Sequence, residues 1–217
     1  LLIGESQMRV PFFDLRVQDS DLRNELLIAF ENVLTHGRLF LGPEVDEFET
    51  RVANYIGTKY AVGVDSGSSA LYLALKVAGI KRGDEVITTP LTWIISSNAI
   101  RSCGAIPVFA DVREDFNLDP YSIQSKITSK TKAVMPVHYA GGVGALDDIY
   151  TFAEKHGLRV IEDAAHAFGS SYKDKLIGCY GDITCFSFDG IKSITSGEGG
   201  CIVTDDQILL DKIRDAR

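Results

Sequence analysis

Apolar residues recur along this chain with two different periods, and the two periods alternate. Over residues 21–34 they fall at Leu22, Leu26, Ile28, Phe30 and Val33, a helical spacing. Gly42-Pro43 opens a second helix, with proline in the first turn and acids after it, and Val45, Phe48, Val52 and Tyr55 as its expected buried face. Short apolar runs that read as strands lie at 60–64, 85–88, 107–110, 133–137, 159–161, 184–188 and 201–204. Helical stretches fall at 70–77, 93–102, 121–127, 145–156 and 206–217. This alternation predicts an α/β fold with a largely parallel sheet. Such sheets place ligands beyond the carboxyl ends of their strands, so the residues that end each run are the ones to inspect.

Composition narrows the picture. With 217 residues, 45% of them hydrophobic and 24% charged, the chain can bury one sizeable core. Leu1 to Gln7 precede Met8, and residues 1–10 read as an arm outside the fold, with one domain over 11–217. The formal net charge is -8 and no block of five like charges occurs, which argues against nucleic-acid or anionic-membrane partners. No apolar run is long enough to span a membrane, and no signal-peptide pattern opens the chain. Cys103, Cys179, Cys185 and Cys201 lack C-x-x-C spacing and read as free, buried thiols in a reducing compartment, the cytoplasm. His36, His138, His156 and His166 have no ligand-like spacing, so no metal site is expected.

The strand ends carry the candidate chemistry. Phe186-Ser187-Phe188 runs into Asp189-Gly190-Ile191-Lys192-Ser193 and then Gly197-Glu198-Gly199-Gly200. Upstream, Asp163 closes another apolar run. A loop lysine that can form a Schiff base, together with an acid that can hold a pyridine nitrogen protonated, is what pyridoxal phosphate (PLP) chemistry requires. Asp65-Ser66-Gly67-Ser68-Ser69 follows a strand and opens a helix, a place where backbone N–H groups can meet a phosphate. Trp93, the only tryptophan, stands where a strand gives way to a helix and could stack on a flat ring. Each feature has a plainer reading: Lys192 as a surface loop lysine, Asp163 as a cap, His166 as a structural histidine. The serine-glycine turn reads equally as a capping turn, the glycine cluster as a hairpin, and Trp93 as a core or interface aromatic. Their joint occurrence at successive strand ends favours the cofactor reading. Glu162 and Asp163, adjacent on a strand, point to opposite faces and cannot serve one substrate atom as a pair.

From Pro11 to Arg217 the sequence resembles the DegT/DnrJ/EryC1/StrS family, the PLP-dependent sugar aminotransferases of fold type I. The resemblance rests on Pro11-Phe12-Phe13-Asp14-Leu15, Gly37 to Pro43 with Phe48-Glu49, and Ser66-Gly67-Ser68-Ser69-Ala70-Leu71. Thr92-Trp93, Pro136-Val137-His138, Glu162-Asp163-Ala164-Ala165-His166-Ala167 and the Phe186 to Gly200 segment extend it. It implies a three-layer αβα domain of the PLP-transferase type, here without the family's small C-terminal domain. It implies that Lys192 bonds the cofactor and moves protons, and that Asp163 holds the pyridine nitrogen protonated. By the same resemblance Trp93 stacks on the ring, His166 contacts the ring hydroxyl, and Gly67, Ser68 and Ser187 bind the phosphate. The implied reaction is amino transfer, usually from glutamate, to a nucleotide-linked keto-sugar, carried out by a homodimer.

Three departures stand out. Ser68 replaces the usual threonine, and Asp189-Gly190 stands where many members have His-Pro. The chain also stops before the family's C-terminal region. An alternative expectation is therefore a non-catalytic relative that binds PLP weakly or works only with another chain. A PLP-free nucleotide-binding α/β protein is a third.

Overall fold

The structure, a computed structural model, describes Phe12 and residues 14–217. The arm read over residues 1–10, and Pro11 and Phe13 of the opening motif, lie outside the described residues. The chain divides into two compact units, one ending at Gly42 and one over Pro43–Arg217.

The first unit holds α1 (Ser20–His36). Asp19 caps it by accepting from the Leu22 N–H at 2.8 Å, and Gly37, at φ 69°, ends it with its own N–H on the Val33 carbonyl.

The second unit runs α2 (Pro43–Ile56), β1 (Tyr60–Val64), α3 (Gly67–Val77), β2 (Glu85–Thr88), α4 (Ile95–Ser102), β3 (Ile106–Phe109) and α5 (Pro120–Lys126). It continues with β4 (Thr131–Met135), a 3-10 turn (Tyr139–Gly141), α6 (Leu146–His156), β5 (Arg159–Asp163), β6 (Ser171–Tyr172), β7 (Lys175–Leu176), β8 (Ile183–Ser187), β9 (Gly200–Thr204) and α7 (Gln207–Ala216). Seven strands make one sheet in the order β1-β9-β8-β5-β4-β2-β3. β9 is antiparallel to both its neighbours and the remaining pairs are parallel, so β9 alone runs against the rest. The β6–β7 hairpin pairs separately. Its strands are two residues each, too short for apolar periodicity to reveal.

Alternation along the strands builds the three layers. Val62, Ile161 and Ile202 face one way and pack with Leu71 of α3, Ile100 of α4 and Ile213 of α7. Ala61 and Phe186 face the other way with Val52 of α2, and Val160 does so with Ile123 of α5 and Ile149 of α6. The α2 stripe differs from expectation: Val52, Ala53 and Ile56 are buried with Glu49, whereas Tyr55 is exposed. Tyr55 lies off the 3.6-residue stripe that runs from Val52 to Ile56, and its ring stacks on Phe168 instead. Of the cysteines, Cys185 and Cys201 are buried but Cys103 and Cys179 are only partly so, and all four are free thiols. No helix among the described residues is long and apolar enough to cross a membrane.

Candidate active site

Three chain segments meet at one level of the sheet, because Gly200 at the start of β9 stands opposite both Val64 at the end of β1 and Ser187 at the end of β8. The approach is tight. A Cβ at position 200 would lie 2.3 Å from the Ser66 carbonyl oxygen and 2.7 Å from the Gly67 nitrogen. Gly200→Ala is therefore expected to lower stability by about 1–3 kcal/mol through overpacking against backbone. An unchanged urea midpoint would count against the close packing.

Above this contact α3 begins. Ser66 caps it, its Oγ accepting from the Ser69 N–H at 3.1 Å. The N–H groups of Gly67 and Ser68 have no intrahelical acceptor, and they sit at the positive end of the helix dipole. A Cβ at position 67 would lie 2.7 Å from Ser187 Cβ and 3.1 Å from its Oγ. Only glycine lets the helix start come this close to the serine hydroxyl.

Asp163 is the last residue of β5 and is 3% exposed. Its Oδ2 accepts from the Ser96 hydroxyl at 2.7 Å and its Oδ1 from the Ala165 N–H at 3.2 Å. Ser96 Oγ also lies 2.8 Å from Thr92 Oγ1, so Thr92, Ser96 and Asp163 form one chain of hydrogen bonds. The strand reaches two residues further than its apolar run, because Asp163 is held in the sheet by backbone bonds. Its N–H donates to Pro136 O at 2.8 Å, and its carbonyl accepts from the His138 N–H at 3.0 Å.

Lys192 lies in the connection between β8 and β9. That connection is closed at its base by the Phe188 N–H on Gly199 O at 2.8 Å and the Ser196 N–H on Phe188 O at 3.0 Å. The Lys192 N–H turns back on Asp189 O at 3.0 Å.

His166 is exposed as a whole, but its ring is partly withdrawn from water and feels the charges of both groups. Burial holds its imidazole below the ordinary histidine value, the Lys192 charge lowers it further, and Asp163 opposes them. The ring therefore stays neutral further into acid than a free histidine would. Trp93 is 74% exposed and is not a core aromatic. These residues line one cleft of about 630 Å³, which brings Gly67, Ser68, Trp93, Asp163, His166, Ser187 and Lys192 together. Tyr139 lines it as well.

Two features were not legible in advance. One is Ser96, whose partnership with Asp163 joins residues far apart in sequence. The other is a buried polar cluster on the far face of β5. There Glu162 accepts from Tyr150 OH at 2.6 Å and from Thr184 Oγ1 at 3.2 Å, and lies 2.7 Å from His138 Nε2. Glu162 and Asp163 do face opposite ways, as strand alternation requires.

The cleft suits a flat cationic ring that carries a phosphate. A buried carboxylate, a glycine-serine cradle at a helix start and a loop lysine line it together. The model of the DegT/DnrJ/EryC1/StrS aminotransferase family matches residues 20–217. The chain belongs to that family. Over 182 residues it is 50% identical to the spore coat polysaccharide biosynthesis protein SpsC of Bacillus subtilis, covering 83% of this chain and 47% of SpsC. DesV of S. venezuelae, solved in complex with a ketimine intermediate, superposes with a TM-score of 0.91 at 42% identity, covering 95% of this chain and 56% of that one. NtdA of Bacillus subtilis, solved with bound cofactor PMP, gives 0.89 at 32% identity, covering 94% of this chain and 47% of NtdA. The chain thus spans about half the length of these relatives. The family is one of PLP-dependent aminotransferases, and the fold shared with these solved structures is fold type I.

Proposed function

We propose that residues 11–217 are the PLP-binding part of an aminotransferase that moves an amino group from glutamate to the carbonyl of a nucleotide-linked keto-sugar. The observation that carries this reading is the convergence of Lys192, Asp163 and the Gly67–Ser187 cradle on one cleft. The relation to SpsC, a polysaccharide biosynthesis protein, supports a sugar substrate. A homodimer working in the cytoplasm completes the proposal.

Bound PLP would supply an electron sink for the carbon that carries the amino group. The chain's residues do the rest. The Gly67 and Ser68 N–H groups and the Ser187 hydroxyl bind the phosphate. Asp163, held by Ser96 and Ala165, keeps a proton on the pyridine nitrogen. Trp93 would cover one face of the ring, and the neutral His166 would offer a hydrogen bond to the ring hydroxyl. Lys192 Nζ would hold the cofactor covalently, and as a free amine it would take the proton from the donor Cα.

The test is to mix the purified protein with PLP, reduce with borohydride and map the modified peptide. PLP fixed on Lys192 is the expected result. No fixed PLP, or fixation on a different lysine, would overturn the reading. PLP on Lys192 without amino transfer from glutamate to any nucleotide-linked keto-sugar would leave the cofactor site and reject the reaction.

A further inference from the structure

The cluster on the far side of β5 from Asp163 is buried and costly to build. Glu162 is fully buried and His138 is 1% exposed. His138 Nδ1 has no hydrogen-bond partner among the described residues. A bare ring nitrogen is easier to bury than an unpaired N–H, so the geometry favours the proton on Nε2, where it is donated to Glu162 at 2.7 Å. With the Tyr150 and Thr184 hydroxyls, Glu162 then accepts three hydrogen bonds. Burial first, and the Glu162 charge after it, hold the Tyr150 phenol well above its usual value, so it remains a donor. Gly181 makes room for the cluster. A Cβ there would lie 2.8 Å from Glu162 Oε1 and on top of the Tyr150 hydroxyl.

The donors come from three segments, and two of them also carry the cleft. His138 directly precedes Tyr139, and its backbone N–H bonds to Asp163 O. Thr184 lies on β8, which ends at Ser187. Tyr150 lies on α6, the helix that covers this face of the sheet. Glu162 is itself the residue before Asp163.

Resting on the function proposed above, we propose that Glu162 is a positioning residue. By tying His138, Tyr150 and Thr184 to β5, it fixes where the Asp163 carboxylate meets the cofactor's ring nitrogen. It touches neither cofactor nor substrate. A buried carboxylate that ties two elements of the cleft to the strand of Asp163 is a costly way to add stability alone, since a hydrophobic replacement is often as stable.

The test compares Glu162→Gln and Tyr150→Phe with the wild-type protein, each loaded with PLP. Three quantities are read: thermal stability, the pH midpoint of the bound-cofactor absorbance, and kcat and KM separately. For Glu162→Gln, kcat is expected to fall by about tenfold to a hundredfold, the size of one lost charge-assisted hydrogen bond. KM for the amino donor should stay unchanged while the absorbance midpoint moves. Tyr150→Phe should change the same quantities in the same direction, by less. Variants that melt earlier but keep the wild-type midpoint and kcat would overturn the proposal and leave Glu162 a purely structural group. Should Glu162→Gln fail to fold, Tyr150→Phe decides on the same readings. A wild-type protein in which borohydride fixes no PLP on Lys192 would instead overturn the underlying function.

Discussion

Replacing Lys192 by alanine is expected to remove amino transfer altogether, a loss of about a thousandfold or more, because one amine serves as both covalent anchor and proton carrier. The fold should survive. The connection that carries Lys192 is closed by backbone bonds at Phe188, Ser196 and Gly199, and none of them involves the lysine side chain. The phosphate groups are untouched, so PLP should still bind through Gly67, Ser68 and Ser187 but be released on denaturation even after borohydride. The measurement is single-turnover conversion of bound cofactor by glutamate, beside mass analysis of the reduced protein. Wild-type turnover in Lys192→Ala would sink the assignment. Loss of all PLP binding would show instead that the phosphate cradle is too weak to hold the cofactor alone.

Asp163→Asn should cost about a hundredfold or more in kcat, since it removes a buried charge facing a protonated nitrogen. This substitution isolates charge from shape. Asparagine keeps an oxygen for the Ala165 N–H, and Ser96 can reverse its donation because Thr92 Oγ1 lies 2.8 Å away on its other side. Stability should therefore change little while activity falls. The bound-cofactor spectrum should also respond, because the ring nitrogen would no longer keep its proton. Near-normal kcat in a well-folded Asp163→Asn protein would reject the role.

The cleft residues were legible because their signals are local. Ser66-Gly67 stands between a strand pattern and a helix pattern, Asp163 closes an apolar run, and Lys192 sits between an apolar run and a glycine cluster. Each can be found from a window of about ten residues. The seven-stranded order was not legible, since pairing β1 with β9 joins residues 60–64 to 200–204 and no local pattern encodes that. The reversed β9 was hidden for the same reason: it reads as one more apolar strand. The Glu162 cluster was missed because its donors are scattered over β8, α6 and the loop after β4, and each alone looks like an ordinary polar residue. Tyr55 shows the opposite failure, in which a spacing close to helical was counted into a stripe it does not join.

The same long-range pairing sets a timetable. A ribosome adds about 5–20 residues per second, so β1 waits on the order of ten seconds for the strand that pairs with it. Until Gly200 is in place beneath Ser66, the start of α3 has no floor, and Ser187 has no neighbour on its β9 side. The nascent chain therefore presents β1 as an unpaired edge while residues 65–199 are made, and the contact of Ser66 with Gly200 closes only after that. Under the proposed function, capture of PLP therefore follows the synthesis of β9, with no bound cofactor to steady the earlier strands while they assemble.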